Sequence, residues 1–124
     1  MPSREEAVVL FERRRRAWLD GDVDSYLALF ADEMQFVSPV HPEPLDRAGF
    51  AALVRRSLAA ARPLAFEFLH LAVAGDTVLA EWRIAIGRPD GKRIDWCGMS
   101  VAEVRNGLIY YWREYWNPAN VRLR

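Results

Sequence analysis

The stretch Val104-Arg105-Asn106-Gly107-Leu108-Ile109-Tyr110-Tyr111-Trp112-Arg113-Glu114-Tyr115-Trp116 decides the fold. Asn106-Gly107 is a pair that tolerates positive φ, and the residues after it are aromatic and β-branched, so 108–116 reads as a strand returning from a tight hairpin. Alternation places Trp112, Glu114 and Trp116 on one face of that strand and Arg113 and Tyr115 on the other. Three earlier stretches, 64–74, 77–87 and 92–104, show the same period-two pattern. Gly75-Asp76 and Pro89-Asp90-Gly91 supply the turns between them.

Upstream the period changes to that of a helix. Ser3 to Asp20 opens with a capping box, Ser3 and Glu6, places Val8, Phe11, Arg15 and Trp18 on one stripe, and stops at Asp20-Gly21-Asp22. A short helix from Asp24 to Phe30 presents Tyr26, Leu27 and Phe30, and a third from Asp46 to Arg62 presents Phe50, Leu53, Val54 and Leu58 before Pro63. Between them Met34–Ser38 reads as a short strand. It leads into Pro39-Val40-His41-Pro42-Glu43-Pro44, where three prolines predict an ordered loop without regular pairing. Helices first and hairpin-linked strands afterwards predict an α+β fold, a curved antiparallel sheet packed on three helices, in one domain over residues 1–124.

The composition fits one core, with 52% hydrophobic residues in 124. Lys+Arg and Asp+Glu balance at 17 each, which argues against nucleic acid and anionic membrane as partners. The apolar runs fall far short of the roughly 20 residues of a membrane span, and the first residues lack a secretory layout, so a cytoplasmic location is expected. A single cysteine, Cys97, and two distant histidines, His41 and His70, give no metal-ligand spacing. Four of the five tryptophans, Trp82, Trp96, Trp112 and Trp116, lie in the last third of the chain.

Leu19-Asp20-Gly21-Asp22, Leu29-Phe30-Ala31-Asp32-Glu33, Phe36-Val37-Ser38-Pro39 and the closing hairpin together resemble the NTF2-like superfamily. The SnoaL-like and limonene-epoxide-hydrolase-like branch is the nearest in pattern, over almost the whole chain. The resemblance implies a cone closed by three helices around an apolar cavity, and a homodimer formed through the outer sheet face. It also implies chemistry ranging from isomerisation and cyclisation to epoxide opening, or ligand binding alone. In the epoxide hydrolases an aspartate matches Glu114. Their arginine and second aspartate fall on Trp82 and Ile84 in an ungapped register, or on Glu81 and Arg83 if a deletion precedes the hairpin. The ketosteroid isomerases carry an aspartate where Ser38 precedes Pro39, and a tyrosine on the first helix that this chain lacks.

Glu114 is the leading candidate for a general acid or base, since a carboxylate among indole rings loses solvation; a structural ion pair is the alternative. Ser38 offers a hydrogen bond in the cavity, or caps nearby backbone. Of the four consecutive arginines, Arg13 to Arg16, Arg15 lies nearest the apolar stripe and would need Glu114 or an anionic ligand as partner, unless all four are solvated. His41 stands at the cavity mouth as a proton shuttle or a solvated group. Trp18, Tyr26, Phe36, Trp82, Trp96, Trp112 and Trp116 are the expected walls, with Ser100 as a donor and Asp95 in reserve if the register slips. His70 reads as structural and Cys97 as a packed thiol. The expected activity is that of a small enzyme of isomerase, cyclase or hydrolase type, without cofactor, acting on an apolar small molecule. A non-catalytic binding or dimeric interaction protein of the same fold is the other reading.

Overall fold

The computed structural model describes residues 1–121, so residues 122–124 of the expected domain lie outside the description. Helix α1 (Arg4–Asp20) starts at the anticipated capping box: Glu6 N–H donates to Ser3 Oγ at 3.1 Å and Ser3 N–H to Glu6 Oε1 at 3.0 Å. It ends where Gly21 takes φ 67°. Its buried face is Ala7, Leu10, Phe11, Arg14 and Ala17. The stripe is thus turned from the expected one, and Val8 is 43% exposed. Two alanines let the helix approach the sheet closely, which selects the face they share with Leu10 and Phe11.

Helix α2 (Val23–Leu27) is capped by Asp22, which accepts from Ser25 N–H. Phe30 already belongs to strand β1 (Phe30–Ser38), longer than the five residues expected. The proline segment also departs from expectation, because β2 (His41–Leu45) pairs with β1 through Phe36↔Leu45 and Ser38↔His41. This strand lies at the sheet edge, where Pro42 and Pro44 need not donate to a neighbour on both sides. Helix α3 (Arg47–Ala60) follows with Asp46 as its cap, and β3 (Arg62–Ala74), β4 (Thr77–Gly87), β5 (Arg93–Arg105) and β6 (Leu108–Tyr115) complete the sheet. Asn106 and Gly107 take φ 52° and 76°, as the two-residue turn requires.

The six strands run β2-β1-β6-β5-β4-β3. All pairs are antiparallel except β1 with β6, so the sheet is mixed rather than purely antiparallel. The last strand closes beside the first one, a long-range pairing that no local pattern announces. Where β5 meets β6 the register shifts between Glu103 and Val104, and the bulge turns both Ile109 and Trp112 into the core.

On β4 the inward residues are Val78, Ala80, Trp82 and Ile84, and Glu81 and Arg83 face outward. The Trp82 ring passes over Gly98, its opposite number on β5. A Cβ there would stand 2.6 Å from the ring and 2.9 Å from the Tyr115 carbonyl oxygen. Trp82 Nε1 then donates to Ser100 Oγ at 2.8 Å in the interior. Gly98→Ala therefore displaces this ring and costs about 1–3 kcal/mol. Thermal denaturation checks it, and an unchanged Tm would show that the contact yields freely.

Candidate active site

Between the three helices and the inner face of the sheet lies a cavity of about 480 Å³. Trp18 from α1, Tyr26 from α2 and Phe36 from β1 line one part of it. Trp82, Trp96 and Trp116 line another, with Phe50 from α3 and Phe66 from β3 completing the aromatic wall. Ser38, His41 and Glu114 also reach it. The register is thereby fixed with Trp96 inward; Asp95 points out and is ion-paired with Arg93 at 3.0 Å, which lowers its pKa from the ordinary value.

Glu114 lies among indole rings and is hydrogen-bonded to two of them. Its Oε2 accepts the Trp112 indole N–H at 3.0 Å and its Oε1 accepts the Trp116 N–H at 3.1 Å. The indoles meet the carboxylate with their donor edges, so each oxygen has a partner. This follows from strand alternation, which puts residues 112, 114 and 116 on one face, the outer two within reach of the middle one. Trp112 itself is fully buried beneath the cavity wall and not part of its lining. Ser100 is likewise behind the wall, where its oxygen is the acceptor for Trp82 rather than a donor to the cavity.

Arg15 does not enter the cavity. Its Nε donates to the Phe66 carbonyl oxygen at 2.6 Å and its Nη1 to Glu12 at 2.9 Å. Arg14 does enter, one residue earlier, because the helix is rotated toward Ala7, Leu10 and Ala17. Its guanidinium carbon lies 3.8 Å from the centre of the Trp112 ring, 5.1 Å from that of Tyr26 and 5.3 Å from that of Phe66. Among the described residues its Nε and Nη1 have no hydrogen-bond partner. The sequence signal for Arg14 was its spacing from Ala7, Leu10 and Ala17, which outweighs that of Val8.

Ser38 Oγ accepts the His41 backbone N–H at 3.2 Å, so the backbone-capping role is present, and the residue is at the same time in the cavity wall. His70 bonds Glu81 at 2.7 Å on the outer face, and Cys97 is exposed rather than packed. No group of three His, Cys, Asp or Glu side chains suited to a metal occurs among the described residues. None of the described helices is long and apolar enough to cross a membrane.

Burial pushes the Tyr26 hydroxyl up to about 12, with the Arg14 charge pulling it down and Glu114 pushing it further up. A tyrosine held neutral in the folded state contributes stability below its unfolded value of 10, and that contribution is lost as pH rises through about 12. A tyrosinate absorbance titration of the native protein should therefore show one late-ionising tyrosine. Tyr26→Phe should remove that step and flatten the fall in stability across the same window.

The SnoaL-like domain family matches the chain over residues 11–112. A Bacillus subtilis protein to which an isomerase activity is ascribed superposes with a TM-score of 0.86 at 23% identity, covering 98% of this chain and 93% of that one. An epoxide hydrolase of limonene-epoxide-hydrolase type from M. tuberculosis gives 0.81 at 22% identity, covering 96% and 88%. A Xanthomonas campestris pv. campestris protein described as a polyketide cyclase candidate gives 0.78 at 24%, covering 95% of each chain. No curated protein matches by sequence. At these identities the structures establish a shared NTF2-like fold, on which isomerase, cyclase and hydrolase neighbours are found. Matched across most of its length, the chain belongs to the SnoaL-like domain family.

Proposed function

We propose that this protein is a small enzyme of isomerase, cyclase or hydrolase type, working without a cofactor on a largely apolar small molecule, with Glu114 as general acid/base. The observation that carries the reading is the Glu114 carboxylate fixed by two indole N–H groups on the wall of a cavity of about 480 Å³. That volume suits a two- or three-ring molecule, and the aromatic walls favour a flat one. A carboxylate pinned at both oxygens loses little orientation entropy when it moves a proton. Tyr26, kept as a neutral donor, and Arg14 are the groups available for a substrate oxygen. They stand in for Arg15, which lies outside the cavity, and share the wall with Ser38 and His41. In the assembly we infer, two copies meet through the outer sheet face, where Leu79, Met99 and Tyr115 are exposed.

A binding protein without chemistry is the second reading. It is favoured by Trp82, Ile84 and Ser38, which stand where the epoxide hydrolases and ketosteroid isomerases carry acid/base groups.

The test is a turnover screen of terpenoid epoxides, unsaturated ketones and polyketide-like β-keto esters, followed by Glu114→Gln. The variant keeps the side-chain shape but turns one acceptor into a donor facing an indole N–H, so a small loss in Tm is expected. Its kcat should fall about 10²- to 10⁴-fold with ligand affinity little changed. Retained turnover removes Glu114 from the mechanism, and binding without any turnover selects the second reading.

A further inference from the structure

Among the described residues three charged side chains line the cavity: Arg14, Arg88 and Glu114. Arg88 lies 3.3 Å from Asp90, and both Glu114 oxygens accept indole N–H bonds. Arg14 has no comparable partner. It is 3% exposed, and Nε and Nη1 are unpartnered among the described residues. The ion pairs of its helix are made instead by Arg15 and Arg16 with Glu12. The rings around its guanidinium attract the cation but offer no acceptor to its N–H groups.

Among the described residues no hydrogen bond or ion pair joins it to Glu114. Trp112 presents its face to Arg14 and its N–H edge to Glu114, so one indole holds the two opposite charges on different sides of itself. A second orphaned donor, Trp96 Nε1, sits in the same wall. Buried charges in folded proteins are paired, and a cation without a protein partner in a cavity wall favours an anionic ligand there.

We propose that the cavity binds a flat, unsaturated organic acid, with its carboxylate on Arg14 and its ring system between the aromatic walls. This rests on the cavity being the functional site, and it adds the charge and the oxygen-bearing end of the substrate. The cation offsets the desolvation of the carboxylate, and the charge-assisted bond fixes which end of the molecule faces Glu114. The ligand's rings replace water against Trp18, Phe66 and Trp82.

The test is a binding titration by tryptophan fluorescence, with thermal shift in parallel. The probes are 2-naphthoate and its uncharged methyl ester, with wild type, Arg14→Met and Arg14→Lys as proteins. Wild type should bind the acid at least about 10-fold more tightly than the ester and gain Tm with the acid. Arg14→Met should fold with a Tm at or above that of wild type, because an apolar side chain of similar length replaces an unpaired buried charge. It should prefer the ester, whereas Arg14→Lys should keep a preference for the acid. If Arg14→Met fails to fold, the acid-to-ester ratios of wild type and Arg14→Lys decide. Equal or tighter binding of the ester by wild type overturns the proposal and leaves the cavity a ligand site. Binding of neither probe overturns the proposal and the reading of the cavity together. Turnover plays no part in the assay, so a catalytically silent Glu114 does not affect its outcome.

Discussion

The Trp112 indole is the contact on which the rest of the site depends. Its ring is fully buried, its face carries the Arg14 guanidinium at 3.8 Å, Phe11 packs on it at 5.5 Å between ring centres, and its N–H holds Glu114 at 3.0 Å. One side chain thus fastens α1 to the sheet and positions both a carboxylate and a cation. Burying a ring of this size contributes on the order of 4–6 kcal/mol at 25 cal/mol per Å². The two polar contacts reinforce each other: an N–H given to a carboxylate enriches the ring that the cation sits on.

The consequence for chemistry is separation of charge. Two opposite charges within one apolar interior ordinarily collapse into an ion pair, which would remove both from use. Here the carboxylate is occupied at both oxygens by Trp112 and Trp116 and remains in the cavity wall. The cation stays on the face of the ring. Tyr26 senses both, since Arg14 and Glu114 act on its hydroxyl in opposite directions. In a low-dielectric cavity such fixed groups act strongly on any charge brought near them and need little rearrangement. The scaffold is shared with isomerase, cyclase and hydrolase neighbours, so the lining of the cone rather than the fold decides what it does.

Much of this architecture was legible in the chain. The Ser3/Glu6 capping box, the Asn106-Gly107 turn and the alternation of Trp112, Glu114 and Trp116 act locally, and each appears in the structure where the pattern puts it. Features that depend on distant partners were not legible. The β1–β6 pairing joins residues 76 to 79 positions apart, and the edge position of β2, which makes Pro42 and Pro44 harmless, follows from the finished sheet. Choosing Arg14 over Arg15 needed the rotation of α1, a matter of 100° that Ala7 and Ala17 set by allowing close approach. That Glu114 would meet indole edges rather than faces depends on side-chain rotamers, which alternation does not specify.

Trp112 keeps Arg14 and Glu114 apart by holding one on its face and the other on its edge. A crystal structure of Trp112→Phe tests it most directly, because phenylalanine retains a face for the cation and lacks the N–H for the carboxylate. The account predicts that the Glu114 carboxylate leaves its place and forms an ion pair with Arg14. A carboxylate still in its present position, bonded to Trp116 and apart from Arg14, would contradict it.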